Sequence, residues 1–309
     1  MQEFNSHDEV RSGYQVSAEM KKIWAIQLEL LRQLLDVCQA NGLRCWVDGG
    51  TMLGAVRHHG YIPWDDDLDV CMPRPDYDRL VQIGPSAFQS PSFFQSAYTD
   101  VDYFRGHAQL RNSDTTAIRP SESYRKFNQG IFIDIFPLDG VPEDADEARR
   151  VVRQSRKIQR LLKAAHLNVL YSGRWLQIFR KYKSKYLIRK YGWENIYKRS
   201  EDCLRNTPVE SSRYWAELSF AGTDFTYEAK AFDHTEWMDF ENMKVPVPGD
   251  YDSCLRRQYG DNYMTPIHAV TSHGNVVFDT EHSYKEMAPA IFKAFKQQSV
   301  RRLCKKFSK

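Results

Sequence analysis

No run of about 18 apolar residues occurs in the 309-residue chain, so a membrane-spanning helix is not expected. The opening residues, MQEFNSHDEVRSG, lack the basic start and apolar centre of a secretory signal, and the protein is expected to be made and kept in the cytoplasm. Among the six cysteines (Cys38, Cys45, Cys71, Cys203, Cys254 and Cys304) there is no C-x-x-C pair, and the spacings match no zinc pattern. That argues against a structural zinc or a disulfide framework. The mostly apolar neighbours suit buried thiols in a reducing compartment. There is no internal repeat and no low-complexity segment. What is present, 42% hydrophobic and 27% charged residues, is a globular composition, enough for one generous domain or two modest ones.

Charge is unevenly spread. Residues 153–199 hold fourteen Lys or Arg against Glu194 alone, and residues 292–309 hold seven with no acid. These segments carry +13 and +7, which leaves −17 on the rest of a chain of net charge +3. An acidic body carries two basic appendages.

Residues 1–16 read as a flexible arm. From Ser17 to Ala40, apolar residues at three- and four-residue steps predict an amphipathic helix, with Gln27 as a break and Asn41-Gly42 as the stop. Cys45-Trp46-Val47 reads as a short buried strand, and Asp48-Gly49-Gly50-Thr51 as a turn in which Thr51 caps Met52 to Val56. Leu68, Val70 and Met72 alternate with Asp67, Asp69 and Cys71, the period of a strand ended by Pro73 and Pro75. Asp76 to Ile83 reads as helix, and Ser92–Ala97 and Gly106–Arg111 as strands. Gly130–Phe136 alternates in the same way, with Pro137 as its stop. Residues 143–171 and 174–199 read as basic helices.

On a strand, residues two apart share a face. Asp67 and Asp69 would therefore project side by side, and two carboxylates so placed repel unless a cation sits between them. Oxygen-only ligands suit Mg²⁺ or Mn²⁺. Asp134 stands alone in Ile133-Asp134-Ile135, a costly place for an acid without a partner. If its strand lies beside the first, the three carboxylates form one site fit for phosphoryl transfer, with Asp134 as third ligand or general base. The plainer alternative is surface aspartates at a strand edge. A calcium loop fits poorly, since the late Glu and central Gly are missing. Gly49 and Gly50, between a strand and a helix, would let backbone amides approach a phosphate. No Gly-Lys-Ser/Thr follows, so this is not a Walker loop.

Three blocks carry a resemblance. Asp48-Gly49-Gly50-Thr51-Met52-Leu53-Gly54-Ala55-Val56-Arg57 with Gly60-Tyr61-Ile62-Pro63-Trp64-Asp65-Asp66-Asp67-Leu68-Asp69-Val70 resembles the signature of the LicD family, which is related to fukutin. Gly130–Gly140 looks like the family's second block, and Val245–Pro248 through Tyr259–Met264 is similar to its C-terminal block. The resemblance implies a nucleotidyltransferase fold. It also implies transfer of phosphocholine, or a related polyol phosphate, from a CDP-linked donor to a glycan hydroxyl. Gly49 and Gly50 would form the phosphate loop, Asp67 and Asp69 the metal pair, and Asp134 the third acidic position. The expected fold is α+β. A catalytic core over 17–140, with a mixed sheet and flanking helices, is followed by a basic helical insertion at 141–200 and a C-terminal part at 201–309 that completes the cleft.

Further donor-binding candidates are Thr51, Arg57, Arg74 and Arg111 for phosphate and Trp64 for a cytosine or a choline. Some have a plainer reading: Arg57 and Arg74 as charge partners of Asp65 or Asp66, and Trp64 as core. Asp65 and Asp66 themselves read as structural, and His58 and His59 as solvent-facing. His268, His273, Lys244 and Tyr259 are weaker candidates for the acceptor side. The aromatic and basic residues of 174–199 (Trp175, Phe179, Tyr182, Tyr186, Tyr191) and the tail 292–309 suit an anionic membrane surface, which would put the protein at its cytoplasmic face beside a lipid-linked glycan. Nucleic acid is not an expected partner, because no recognised module accompanies the charge. The rivals are a ribitol- or glycerol-phosphate transferase of the same fold, a true nucleotidyltransferase, and an inactive membrane-associated binding module.

Overall fold

The computed structural model describes residues 4–167, 175–268 and 275–307. The fold is α+β. Residues 4–16 are not a loose arm. They form a hairpin of β1 (Glu9–Arg11) and β2 (Tyr14–Val16) around Ser12-Gly13, both at positive φ, as a tight two-residue turn needs. Two anchors fix it: Arg11 pairs with Glu241 through a short double contact, and Glu9 lies 2.8 Å from the buried Lys21 ammonium.

Helix α1 (Ala18–Ala40) starts at Ser17, whose hydroxyl accepts from the Met20 amide, and stops at Asn41. Trp24, Leu28, Leu31 and Leu34 bury its inner face. Next come β3 (Trp46–Val47), α2 (Gly49–His58), β4 (Asp69–Pro73), α3 (Arg74–Ala87), β5 (Ser92–Gln95), β6 (Ala108–Asn112), β7 (Thr116–Ile118) and β8 (Ile131–Gly140). The central sheet is mixed. Strand β4 lies parallel to β8 and antiparallel to β3, while β6 joins the other edge of β8 and carries β5.

Pro137 does not end its strand. On one side it pairs with Met72. On the other, β6 ends opposite Ile135, and β9 (Tyr214–Ala216) begins pairing only at Asp139. The residue without an N–H thus sits where that second ladder is interrupted.

The basic middle is three helices rather than two. They are α4 (Ala145–Ala165), α5 (Trp175–Tyr191) and α6 (Trp193–Arg205), with the break at Gly192. Helices α4 and α6 pack through the buried Ser155–Ser200 hydroxyl pair at 2.8 Å, and α6 continues past residue 200. Beyond β9 follow β10 (Tyr227–Glu228), the hairpin of β11 (Thr235–Phe240) and β12 (Met243–Pro248), α7 (Tyr251–Tyr259), β13 (Val277–Asp279) paired with β7, and α8 (Tyr284–Phe307). No helix among the described residues is long and apolar enough to cross a membrane.

Candidate active site

Strand β4 opens at Asp69, which stands in register opposite Asp134 of the parallel strand β8. Residues in register on neighbouring strands share a face, so both carboxylates reach the same side of the sheet. Asp67 lies just before β4 rather than within it. The ladder nevertheless extends to that point, since the Asp134 amide donates to the Leu68 carbonyl at 2.9 Å. The acidic loop is held from below by α1. Trp24 Nε1 donates to the Asp65 carbonyl (3.0 Å), and Gln27 Nε2 to the carbonyls of Asp66 (2.9 Å) and Phe132 (3.3 Å). Gln27, a break in the apolar pattern, is therefore the polar clasp between the loop and β8.

Asp134 is buried, and Gln109 Nε2 donates to its Oδ1 at 2.6 Å. His107 Nε2 lies 3.0 Å from the same oxygen. Burial pushes the carboxyl up, but His107, Arg105 and Gln109 outweigh it and hold Asp134 below the usual carboxylate value. Burial holds His107 below its usual value, and although its Nε2 lies close to Asp134 the geometry is not that of a hydrogen bond. Asp69 behaves in the opposite way: burial, then the charges of Asp67 and Asp134, raise it well above the carboxylate range. Burial raises Asp67 to about 6, with the charges of Asp66 and Asp134 adding to it and a hydrogen bond with Asp65 opposing it.

Among the described residues, the three carboxylates whose oxygens come within 4.8 Å of one another are Asp65, Asp66 and Asp67. Asp67, Asp69 and Asp134 are not drawn together that tightly. Asp65 and Asp66, read from the sequence as structural, are thus as close to a cation site as the strand acids.

The glycines belong to a helix rather than a loop. Asp48 is the N-cap of α2, and Gly49 is its first residue. Gly49 has φ +54°, and a Cβ there would lie 3.5 Å from Asp69 Oδ2. A Cβ on Gly50 would come within 2.6 Å of Asp65 Oδ2. The missing side chains are what let the positive end of the helix approach the carboxylates. Thr51 does not cap the helix; its hydroxyl accepts from the Asp69 amide at 2.9 Å and ties α2 to β4.

The three arginines are committed elsewhere. Arg74 makes a buried two-pronged pair with Asp139 (2.6 and 2.9 Å). Arg111 donates to Gln95, Gly130 and Gln109 and stacks 4.5 Å over Phe132. It serves the site indirectly, by orienting the Gln109 that holds Asp134. Arg57, at the far end of α2, donates to the Tyr263 carbonyl at 2.6 Å. Trp64 is half-buried between Tyr14, His58 and His268, so His58 is a packing residue rather than a solvent-facing one. Lys244 is exposed and paired with Asp239. His273 and the side chains of Trp175 and 300–309 lie outside the described residues.

Sequence reasoning missed several neighbours. Glu217, just past β9, is buried. Desolvation and then the adjacent Asp48 raise its carboxyl well above the usual range. Its setting in Trp215-Ala216-Glu217-Leu218, an acid among apolar residues, is the signal that singled out Asp134. Tyr259, a weak candidate, closes the other side: its hydroxyl lies 3.9 Å from where a Gly49 Cβ would stand. His107 and Gln109 carried no sequence signal, because their role depends on β6 lying beside β8.

A mixed sheet with acids at the head of one strand and the middle of its parallel neighbour, faced by a glycine-led helix, is a nucleotidyltransferase-type architecture. Residues 42–155 match the family described as LicD/FKTN/FKRP, nucleotidyltransferase domain. The lipopolysaccharide cholinephosphotransferase LicD of Haemophilus influenzae is 24% identical over 245 residues, 77% of this chain and 89% of that protein. The ribitol 5-phosphate transferase FKRP of human and mouse is 33% identical over 81 residues, 25% of this chain and 16% of that protein. Residues 42–155 thus carry a nucleotidyltransferase domain of the LicD type.

Proposed function

We propose that the protein transfers phosphocholine, or a similar substituted phosphate, from a CDP-linked donor to a hydroxyl of a cell-surface glycan or its lipid-linked precursor. The acceptor oxygen forms a bond to the distal phosphorus, the bond from that phosphorus to the bridging oxygen breaks, and CMP leaves with the bridging oxygen. The hydroxyl proton passes to a base.

The observation that carries this reading is the register of Asp69 with Asp134 beside the N-terminus of α2. The half-buried carboxylates of Asp67 and Asp69, raised by desolvation and then by neighbouring acids, fit a hard divalent cation, and an all-oxygen donor set suits Mg²⁺ or Mn²⁺. Asp67, Asp69 and Asp134 would hold it, with Asp65 and Asp66 in reach. When bound, it supplies charge neutralisation for phosphate oxygens. The helix N-terminus offers backbone amides to the diphosphate. Asp134, kept ionised by Gln109 and Arg105, either ligates the cation or takes the hydroxyl proton.

The test is CMP release from CDP-choline, CDP-ribitol and CDP-glycerol with Mg²⁺ and a set of glycans. Absence of CMP with every donor sinks the reading. Product mass separates transfer of the substituted phosphate from transfer of a nucleotide. A location at the cytoplasmic face of a membrane goes with this reading, and it is supported by the apolar and aromatic side chains that α5 exposes between its lysines and arginines.

A further inference from the structure

Two acids outside the catalytic reading meet in the interior. Asp48, just before α2, is 6% exposed, and Glu217, just after β9, is 8% exposed. Their side chains are in hydrogen-bonding contact, and the charges that act most strongly on Glu217 are all acidic: Asp48, then Asp134 and Asp139. A buried carboxylate without a base is costly, and two in contact are costlier. Asp48 is also an N-cap without the usual bond. An Asp in that place commonly accepts from a first-turn amide of its helix, but the Asp48 side chain makes no such bond to α2.

A third element reaches the same place. Gln258 of α7 brings its Nε2 to 3.5 Å from Asp48 Oδ1 and makes a short contact with the buried Tyr227 hydroxyl. Two oxygens of this group, Glu217 Oε1 and Gln258 Oε1, are buried without a hydrogen bond. Buried polar atoms are nearly always paired, so both call for a partner that oxygens can coordinate. A proton on Glu217 would relieve the acid pair and still leave the Gln258 oxygen unmatched. A metal ion answers both. Two carboxylates call for two positive charges. Ca²⁺ accepts carboxylates and amide carbonyls in irregular sets, whereas Mg²⁺ demands a near-ideal octahedron and keeps several waters, for which so buried a place has little room.

We propose that Asp48, Glu217 and Gln258 form a separate structural cation site that takes a largely dehydrated divalent ion of the Ca²⁺ kind. Its ligands come from the start of α2, the end of β9 and α7, positions 48, 217 and 258 of the chain. The ion therefore clamps the C-terminal part against the glycine-led helix. The inference rests on these unpaired oxygens and not on the chemistry proposed for Asp67, Asp69 and Asp134.

The experiment is calorimetric titration of the full chain with CaCl₂ and MgCl₂, carried out in the Asp69→Asn chain so that the acidic centre is weakened. That chain is expected to bind Ca²⁺ at least about tenfold more tightly than Mg²⁺. Adding Glu217→Gln, which keeps the shape and removes a charge, is expected to abolish about one equivalent of Ca²⁺ binding. Adding Gln258→Met instead, which keeps the length and removes the amide oxygen, is expected to weaken that equivalent at least about tenfold. Thermal denaturation guards against misfolding. In chelator the Glu217→Gln chain should melt no lower than its parent, and only the parent should gain Tm from Ca²⁺. Absence of Ca²⁺ binding overturns the proposal. So does binding that Glu217→Gln leaves unchanged, which would assign the ion to Asp65, Asp66 and Asp67. CMP release by the unsubstituted chain in Mg²⁺ is scored separately, and its absence strikes the catalytic reading without touching this one.

Discussion

Asp69 and Asp134 stand opposite each other across the parallel pair β4–β8, yet their carboxyls are held in opposite directions, Asp69 raised and Asp134 lowered. The difference lies in their partners. Asp134 has Gln109 and His107, whereas Asp69 faces other acids. Asp69→Asn keeps the shape and removes the charge. CMP release is expected to fall at least about 100-fold, while the Tm of the metal-free chain stays equal or rises, because the lost group was poorly accommodated without a cation. The two are measured side by side. An equal collapse of activity and Tm would mark Asp69 as a scaffold residue instead.

A carboxyl raised by burial gives a definite pH dependence. Asp67 is raised from 3.8 to about 6, so its contribution to stability is fully present below 3.8 and is lost as the pH rises through about 6. In chelator, Tm is expected to rise as the pH falls from about 7 towards 5. Cation binding needs ionised carboxylates, so the Tm gain from Mg²⁺ should be larger at about pH 7.5 than at about pH 5. Thermal denaturation across that range, with and without Mg²⁺, checks both. A Mg²⁺ effect that grows on acidification would remove Asp67 from the cation site.

The Arg74–Asp139 pair makes a contrary prediction to the one drawn from sequence. Asp139 is fully buried, and truncating its partner strands a charge in the core. Arg74→Ala is expected to cost about 3–5 kcal/mol of stability. A donor-binding arginine would instead raise the KM for the donor and leave the Tm alone. Urea denaturation and a donor titration distinguish the two.

Residues whose partners lie nearby, or whose pattern is periodic, were legible in the sequence. The Ser17–Ala40 helix, the strand behind Asp69 and the isolated Asp134 all follow from spacing and local cost. The adjacency of the two acidic strands follows from the sequence only as a condition, which the parallel pair β4–β8 meets. The arginines were not legible. Arg74 meets Asp139 sixty-five positions away, and nothing local distinguishes an arginine consumed by a buried acid from one awaiting a phosphate. Pro137 is illegible for a related reason: a proline ends a strand only where the neighbour on its N–H side needs a donor, and here that ladder is interrupted between Ile135 and Asp139. Residues 143–171 read only as a basic helix, and nothing local shows that part of α4 lines a half-open cavity.

Gly50 tests the helix that faces the acids. An alanine Cβ would overlap the Asp65 carboxylate, which must then move, while the backbone there is ordinary. Gly50→Ala is expected to weaken Mg²⁺ affinity at least about tenfold with a Tm change of a few degrees or less. Gly49→Ala differs, because its φ of +54° strains any L side chain, and it should lose about 1–2 kcal/mol of stability. Magnesium titration and thermal denaturation of both variants separate crowding of the site from strain in the backbone.

Helix α5 exposes Leu176 (74%), Phe179 (69%), Tyr182 and Tyr186 among Lys and Arg residues. An apolar side chain left in water forgoes about 1.5–3 kcal/mol that burial in a lipid interface would return, and each nearby Lys or Arg adds about 1 kcal/mol at an anionic surface. Both contributions are needed. The full chain is therefore expected to sediment with vesicles containing an anionic lipid, but not with purely zwitterionic ones, and to be released by high salt. Phe179→Ser/Tyr182→Ser should weaken sedimentation at least about tenfold and leave the Tm unchanged, since both side chains are exposed in the folded chain. Sedimentation that ignores both the substitutions and the salt would leave α5 as a solvated helix and move the membrane contact to another part of the chain.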